Sequence, residues 1–131
     1  MRVVLDTHAW LWFLQGDPAG NPARRWIEDP AGECWVSAAS IWEAAIKVSL
    51  GKLRLPYSLS EDLPGLMEEN GFVELPVRAS HAAQLEGMPF HHRDPFDRLL
   101  VAQCLAESLP IVSADRAFEA YGVRRLWGDR G

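Results

Sequence analysis

"VVLDTHAWLWFL", residues 3–14, joins a short run of branched residues to an apolar helix candidate with no loop between them. The run has the composition of a β-strand, and Asp6 stands at its junction with the predicted helix of residues 7–14. A strand that passes directly into a helix is typical of the βα unit of parallel sheets. If the rest of the chain repeats this unit, the fold is an α/β domain.

The unit does recur along the chain. Strand-like runs occur at residues 34–38, 72–77, 110–115 and 123–127. Short apolar strands separated by helices indicate an α/β domain with a central, mainly parallel sheet of about four to five strands. The other predicted elements are a turn cluster at 16–21 and helices at 22–29, 40–50, 59–70 (interrupted near Pro64), 79–86, 94–108 and 116–121.

Length and composition predict a single globular domain over residues 1–131. The chain of 131 residues is 48% hydrophobic, which suits a globular core and excludes a disordered chain. No apolar run approaches the ~18 residues that span a bilayer, and the strand-like start "MRVVLD" leaves no room for a secretory signal. Cys34 and Cys104 lie in apolar surroundings and are predicted to be buried free thiols. These features favour a cytoplasmic protein with no membrane segment.

The charge balance neither supports nor excludes a nucleic-acid partner. The net charge of −5 is unfavourable, because nucleic-acid binders usually present a basic surface. Eleven of the thirteen basic residues are arginine. Arginine suits bidentate contacts to phosphate, but it suits surface ion pairs equally well.

Several acidic residues stand where strands end or helices begin, and each has an ordinary structural explanation. Asp6 and Asp115 each follow a strand and could cap the helix after it. Glu43 follows Ser40 by three residues, as in a capping box, and precedes Lys47 by four, which is a favourable helix pair. Taken singly, each acid fits a structural role better than a catalytic one.

The stretch "HHRDPFDRLLVAQ", residues 91–103, places two aspartates three apart at the start of the longest predicted helix. Asp94 fits the N-cap, with Pro95 in the first helical position. Asp97 would then hold the third position, from which a carboxylate can reach back to the N-cap amide. The residues alone allow either aspartate to do chemistry.

Taken together, the acids predict a cation site. In a parallel sheet the strand ends and the helix starts lie along the same edge, where ligands gather. Carboxylates a few ångströms apart repel one another by about 1 kcal/mol at a water-like dielectric and by roughly 4 kcal/mol at an effective value of about 20. A hard divalent cation relieves this repulsion, and Mg²⁺ prefers carboxylate and water ligands. Such a site suits phosphodiester cleavage, since a bound metal can activate water and neutralise the phosphate.

Four segments carry these acids in a specific order and spacing. They are "VVLDTHAWLWFL" (3–14), "VSAASIWEAAIKVSLGKL" (36–53), "HHRDPFDRLLVAQC" (91–104) and "IVSADRAFEAYGVRRLW" (111–127). Together they resemble a PIN-domain toxin of the VapC type, over nearly the whole chain. The resemblance implies a PIN-like α/β/α sandwich and a metal-dependent endoribonuclease that uses Mg²⁺ or Mn²⁺. It also implies a VapB-like antitoxin as partner, an RNA substrate and a homodimer.

The resemblance also implies a role for each acid. The family's third acid precedes a helix of the form D-x-x-(I/L)-x-A, which matches "DRLLVA" at residues 97–102 and hence Asp97. Asp94 is then left as the helix cap, and an exchange of these two roles stays open because both lie within one turn. Ser113 stands where the family often has a hydroxyl near the metal, and it could equally be an ordinary strand-end serine. The implied catalytic acids are Asp6, Glu43, Asp97 and Asp115, with Asp6 and Asp97 as the main metal ligands and the other two in support.

The histidines are predicted to be secondary. His81, His91 and His92 lack the spacing of a zinc site. The pair beside Arg93 is expected in a solvated or RNA-facing loop rather than in catalysis. His8 could approach the site from the first helix, or it could serve helix packing.

Two other functions remain open on the residues. A phosphotransferase with an aspartyl nucleophile at Asp6 would need a second acid two residues on, where the chain has His8, and a lysine after a later strand. A receiver-like binding module without activity would need an acidic pair near the first strand and a lysine after the last, and neither is present. Both alternatives are therefore weaker than RNA cleavage.

The first helix also predicts a partner surface. At about 100° per residue, the side chains of "AWLWFL", residues 9–14, point in all directions around the helix, so some of them face outward. We expect an apolar groove, rimmed by Arg24 and Arg25, that receives an antitoxin segment as a helix in a groove. The ordinary alternative is that neighbouring helices cover these side chains. The aromatic residues in and near this region are Trp10, Trp12, Phe13, Trp26 and Trp42.

Overall fold

The computed structural model describes residues 1–16 and 21–128, and these residues contain five strands. The strands are β1 (Arg2–Leu5), β2 (Glu33–Ser37), β3 (Val73–Leu75), β4 (Ile111–Val112) and β5 (Arg125–Leu126). They form one sheet in the order β3-β2-β1-β4-β5, and every neighbouring pair is parallel. The predicted α/β class, with its mainly parallel sheet of four to five strands, is confirmed.

Helices connect the strands. The helix predicted at 59–70 begins only at Leu63, so Pro64 lies in its first turn, where the missing N–H has no helical partner to lose. The helix predicted from residue 22 begins only at Arg24, and most of the turn cluster at 16–21 lies outside the described residues. None of the helices in the described ranges has the length and hydropathy needed to cross a bilayer. The described helices are α1 (Thr7–Leu14), α2 (Arg24–Ile27), α3 (Ala38–Ser49), α4 (Leu63–Glu69), α5 (Ala79–Gln84) and α6 (Pro95–Glu107), with 3₁₀ turns at Leu85–Gly87 and Arg116–Tyr121.

The sheet separates two hydrophobic cores, because successive side chains of β1 point to opposite faces. Val3 and Leu5 belong to a core with residues of α1, α2 and α4, and Val4 belongs to a core with residues of α6. Helices thus cover both faces of the sheet, which gives the expected α/β/α sandwich. The predicted free thiols are confirmed, one in each core. Burial raises the pKa of Cys34 to about 11 and that of Cys104 to about 12.

The strand order creates a switch point between β1 and β4. The chain first adds β2 and β3 on one side of β1, and then adds β4 and β5 on the other side. Leu5 of β1 is in register with Val112 of β4, and the backbone N–H of Asp6 donates to the Val112 carbonyl over 3.1 Å. The residues after these two strands therefore leave the sheet side by side, at the edge where open α/β sheets bind ligands.

Candidate metal centre

Asp6 follows β1 and lies almost fully buried at the switch point, with 5% of its surface exposed. Its carboxylate accepts the backbone N–H of Ala9 over 2.7 Å, so it caps α1 as the sequence suggests. Burial raises the pKa of Asp6, while hydrogen bonds from the Ser113 hydroxyl and the Ala9 N–H act in the opposite direction. Because ionising a buried carboxylate is unfavourable, a cation beside it strongly stabilises its charged form.

The two aspartates at the start of α6 occupy different positions. One oxygen of Asp94 accepts the backbone N–H of Phe96 at 2.8 Å and that of Asp97 at 3.3 Å, so Asp94 is the N-cap. Burial raises the pKa of Asp97 to about 7, and the nearby carboxylates of Asp94, Asp6 and Glu43 add to that rise. Asp97 is therefore the aspartate of this pair that interacts with the acids of the other elements.

Glu43 brings a further carboxylate from α3. Its Oε2 pairs with the Lys47 ammonium at 3.1 Å, as the helix spacing predicts. Its Oε1 is buried and has no hydrogen-bond partner within the described part of the chain. A buried carboxylate oxygen without a partner is unfavourable, so this atom marks a place where a cation or a water molecule would stabilise the site.

The predicted capping box of Ser40 and Glu43 was wrong. Helix α3 is capped by Ser37, whose hydroxyl accepts the Ala39 N–H over 3.0 Å. Ser40 lies inside the first turn, where it is buried and accepts the hydroxyl of Thr7 over 2.9 Å. That bond joins α3 to α1 and so fixes the helix of Glu43 against the helix that follows β1.

A buried polar link joins α3, α6 and the segment after β3. The Ser37 hydroxyl donates to Gln103 Oε1 at 2.6 Å, and the Gln103 amide donates to the Pro76 carbonyl at 3.2 Å. Ser37 and Gln103 are both fully buried. The sequence alone does not indicate this link, because nothing local distinguishes Gln103 from a surface glutamine of an amphipathic helix. It holds the helices of Glu43 and Asp97 in a fixed relation.

Asp115 follows β4 and is the most exposed of the four predicted acids, with 43% of its side chain exposed. Its carboxylate accepts the Ala117 N–H over 2.9 Å, which caps the following 3₁₀ turn. Its own N–H donates to the Ser113 hydroxyl oxygen over 3.0 Å. Because the buried Ser113 also hydrogen-bonds Asp6, it links the two aspartates that follow β1 and β4.

His92 lies half-buried between two of the acids, so of the predicted solvated or RNA-facing loop, the solvated position is wrong for this residue. Its Nε2 is 2.8 Å from Asp115 Oδ2 and 3.0 Å from Asp97 Oδ2. Its Nδ1 accepts the backbone N–H of Asp94 over 3.1 Å, and a ring nitrogen that accepts a hydrogen bond carries no proton. The ring proton is therefore on Nε2, where the two carboxylates share it.

Two side chains whose role no local sequence pattern indicates hold the segment before α6 in place. The buried guanidinium of Arg98 donates to three backbone carbonyls of residues 85–89, at distances of 3.0 to 3.3 Å. The Tyr121 hydroxyl accepts the backbone N–H of His92 at 2.9 Å and donates to the Pro89 carbonyl at 2.7 Å. These contacts fix the position of His92 beside the acids.

The other histidines have separate surroundings. His81 is buried and pairs with Glu107 at 3.3 Å, which is a structural contact. His91 is exposed and lies against the ring of Tyr121, with ring centroids 5.0 Å apart. His8 is close enough to the site to lower the pKa of the aspartate that follows β1.

The four predicted acids therefore converge at the carboxyl edge of β1 and β4. One ligand atom each of His92, Asp97 and Asp115 lies within 4.8 Å of the other two, and the charges of Asp6 and Glu43 act on Asp97. A set of carboxylate oxygens that includes an unpaired buried atom fits a hard divalent cation. The residues present thus suit a metal ion.

The PIN domain family matches residues 3–123 of the chain. The chain belongs to the PIN domain family, and the resemblance drawn from its four segments is confirmed. PIN domains are typically nucleases. No curated protein matches the sequence significantly.

Solved structures share the fold over almost the whole chain. A chain of VapBC2 from Rickettsia felis, bound to a DNA fragment from the promoter, aligns with a TM-score of 0.67 at 12% identity, over 95% of this chain and 97% of that one. A chain of FitAB bound to the IR36 DNA fragment aligns with a TM-score of 0.60 at 18% identity, over 96% and 94%. A chain of FitAcB from Neisseria gonorrhoeae aligns with a TM-score of 0.57 at 19% identity, over 96% of both chains. At these identities the likeness shows the fold alone.

Proposed function

We propose that this PIN domain is a metal-dependent endoribonuclease and the toxin of a type II toxin–antitoxin pair. In this proposal it cleaves RNA phosphodiesters with a metal-activated water. The observation that carries the proposal is the convergence of four carboxylates at the switch point, one of them with a buried oxygen that no described group pairs. Membership of a family whose members are typically nucleases supports it.

We assign the metal chiefly to Asp6 and Asp97, with Glu43 and Asp115 completing its surroundings. Mg²⁺ suits this set of oxygen ligands, and Mn²⁺ is the alternative. When bound, the ion supplies a water of low pKa and offsets negative charge on the phosphate. The Ser113 hydroxyl orients Asp6, and the greater exposure of Asp115 suits it to orient the attacking water.

Protein purified free of antitoxin tests the proposal. Incubation with a mixed RNA pool should give cleavage that requires Mg²⁺ or Mn²⁺ and stops when EDTA is added. The same preparation should leave p-nitrophenyl phosphate intact, whereas an aspartyl phosphotransferase or phosphatase would hydrolyse that monoester and a receiver-like module would cleave neither substrate. Folded protein that cleaves no RNA of the pool with either metal overturns the proposal.

His92→Ala is expected to lower the melting temperature of the metal-free protein and to raise its affinity for Mn²⁺. The Nε2 proton of His92 lies between Asp97 and Asp115 and offsets their repulsion. A cation that binds the same carboxylates must displace this proton. Loss of the ring therefore destabilises the metal-free protein by about 1.5–3 kcal/mol, the usual contribution of a hydrogen bond to a charged group, and the metal-bound protein by less.

Two measurements check the role of His92. Thermal unfolding in EDTA reports the stability of the metal-free protein, and calorimetric titration with Mn²⁺ reports the affinity. His91→Ala is the matched control, because His91 is the exposed neighbour, and it should change neither value. A weaker affinity of His92→Ala for Mn²⁺ would mean that His92 is itself a metal ligand.

We propose that the antitoxin binds a groove between α1 and α2. A recess of about 250 Å³ lies there, lined in the described ranges by residues that include Phe13, Arg24 and Ile27. Of the aromatic side chains of α1, Trp12 and Phe13 are half-buried and partly face outward, whereas Trp10 is fully buried. The structural neighbours come from VapBC2 and FitAB structures, which supports a VapB-like partner.

Ile27→Glu is expected to weaken antitoxin binding about tenfold or more, because it buries an unpaired charge in the recess. A pull-down of the protein encoded beside this one measures the loss. Leu105→Glu is the matched control, because Leu105 is 44% exposed on α6 and does not line the recess. If folded Ile27→Glu protein binds the antitoxin as well as the wild type does, and its cleavage is still inhibited, the antitoxin does not bind in this groove.

A cytoplasmic location and a homodimer complete the proposal. Two buried free thiols suit a reducing compartment, which is also where an RNA substrate is found. The homodimer follows from the resemblance to VapC-type toxins, and light scattering of the pure protein measures its mass in solution.

A further inference from the structure

A second recess opens beside the four candidate catalytic acids, Asp6, Glu43, Asp97 and Asp115, which together form the acid cluster. Its volume is about 270 Å³, and it is lined by Asp6, His8, Trp12, Ala114 and Asp115. Because two of the candidate catalytic acids, Asp6 and Asp115, form part of its lining, the recess adjoins the candidate metal site directly. A group bound there would lie next to the phosphate that the proposed function cleaves.

Two aromatic side chains, His8 and Trp12, line the recess, and Trp127 extends them into a row of three rings. His8 and Trp12 are four residues apart on α1, with ring centroids 6.5 Å apart. Trp12 is in turn 5.7 Å from Trp127, which follows β5. His8 is exposed and both tryptophans are half-buried, whereas Trp10 of the same helix is fully buried in the core. The row therefore borders solvent at the edge of the sheet that carries the acids.

The recess suits a flat, uncharged ring that is attached to an anion. Its volume lies just below the range of ligand pockets, about 300–1,000 Å³, and gives room for one heterocycle. Asp6 and Asp115 disfavour an anion within the recess itself, while a cation held by the acids attracts an anion just outside it. A nucleobase joined to a ribose phosphate meets both conditions, and every base offers a face that can stack on an aromatic side chain.

We propose that this recess binds the nucleobase next to the phosphodiester that is cleaved, with the base stacked on Trp12 and His8 at its edge. The inference rests on the proposed RNA cleavage and adds a binding site for one base of the substrate. Trp12 is a binding residue in this account, and the acids are the catalytic residues. Stacking of one base on an aromatic side chain contributes about 5- to 150-fold in affinity.

Nucleoside monophosphates test the recess without any cleavage. In Mg²⁺, the indole N–H signals of the wild-type protein are followed by NMR while AMP, GMP, CMP or UMP is added, with ribose 5-phosphate as the matched ligand that lacks a base. Single tryptophan-to-phenylalanine variants assign the signals. We expect at least one nucleotide to shift the signals of Trp12 and Trp127, with an affinity about fivefold or more above that of ribose 5-phosphate. Trp35, whose indole N–H donates to Glu33 at the start of β2, should not respond.

A second measurement uses RNA with one base removed. After the cleavage site in an oligonucleotide has been mapped, an abasic nucleotide is placed on either side of it. In the wild-type protein, the substitution at one of the two positions should lower kcat/KM about 5- to 150-fold. In Trp12→Leu, which keeps an apolar side chain but no ring, the same substitution should have little further effect.

The outcomes separate the recess from the proposed function. Equal shifts with ribose 5-phosphate, or shifts at Trp35 as large as those at Trp12, overturn the proposed nucleobase site. If the abasic nucleotide lowers kcat/KM at neither position, the proposed nucleobase site is overturned and the proposed function is unaffected. Nucleotide binding by a protein that cleaves no RNA contradicts the proposed function and keeps the recess as a nucleotide site. If Trp12→Leu loses antitoxin binding but keeps the response to nucleotides and abasic RNA, the aromatic row binds the antitoxin and the proposed nucleobase site is overturned.

Discussion

Asp97→Asn is expected to abolish RNA cleavage, whereas Asp94→Asn should retain most of it. The Asp97 carboxylate interacts with Asp6, Glu43 and His92, so loss of its charge removes a main ligand of the proposed metal. We expect kcat/KM to fall on the order of a hundredfold or more, as for the loss of other charged or hydrogen-bonding groups that act in a transition state. Asp6→Asn should have the same effect.

Asp94→Asn is the matched control, since it makes the same chemical change three residues earlier on the same helix. Asp94 uses one oxygen to accept the N–H groups of Phe96 and Asp97, and an asparagine side chain caps helices about as well. We expect a loss of about 1 kcal/mol or less in the free energy of unfolding. The comparison requires cleavage rates and unfolding curves for both variants. An active Asp97→Asn beside an inactive Asp94→Asn would show that the two roles are reversed.

The second large effect concerns the metal-free protein. Asp97→Asn is expected to be more stable than the wild type, by an amount that grows as the pH rises. The folded protein raises the pKa of Asp97 from 3.8 to about 7, so ionising this group is harder in the folded state than in the unfolded one. Below about pH 4 the group is protonated in both states and has no effect. Between about pH 4 and 7 the unfolded state loses its proton first, so the wild type becomes less stable relative to the variant. Above pH 7 the difference should reach a few kcal/mol.

Urea unfolding in EDTA at pH 5 and pH 8 measures this difference. Glu69→Gln, which neutralises an exposed acid on α4, is the control. Its free energy of unfolding relative to the wild type should be nearly the same at pH 5 and at pH 8. Added Mg²⁺ should narrow the gap, because it binds the folded wild type and stabilises it. The same prediction holds in direction for Asp6→Asn, since burial raises the pKa of Asp6 as well. Lower stability of every acid-to-amide variant in EDTA would instead favour a purely capping role for the acids.

The sheet and the acids were predictable because their signals are local. Branched runs give the strands, and an aspartate directly after such a run must lie at the carboxyl edge of a parallel sheet. Asp6 and Asp115 are of this kind, and Asp94 was predictable as a cap from the proline that follows it. The capping box failed because two serines stand close together, and the end of β2 makes Ser37 the cap rather than Ser40.

The position of His92 could not be predicted from its neighbours in sequence. It depends on the path of residues 85–94, which is set by Arg98 and Tyr121 through backbone carbonyl and amide contacts. Helical periodicity likewise places Trp10 and Trp12 about 200° apart, at roughly 100° per residue, but does not say which of them enters the core. Contacts between distant segments decide both questions.

The chemistry of the cut RNA ends tests most directly the central claim, that the acid cluster of this PIN domain directs water at the phosphodiester. In hydrolysis the water oxygen forms a new bond to phosphorus as the bond to one ribose oxygen breaks, and that oxygen leaves as a hydroxyl. We predict that mass spectrometry of the first products finds a linear phosphate at one end and a hydroxyl at the other, with ¹⁸O from labelled water in the phosphate. Products that carry a 2′,3′-cyclic phosphate, formed in EDTA as readily as in Mg²⁺, would contradict the account, because they require attack by the ribose 2′-hydroxyl rather than by water.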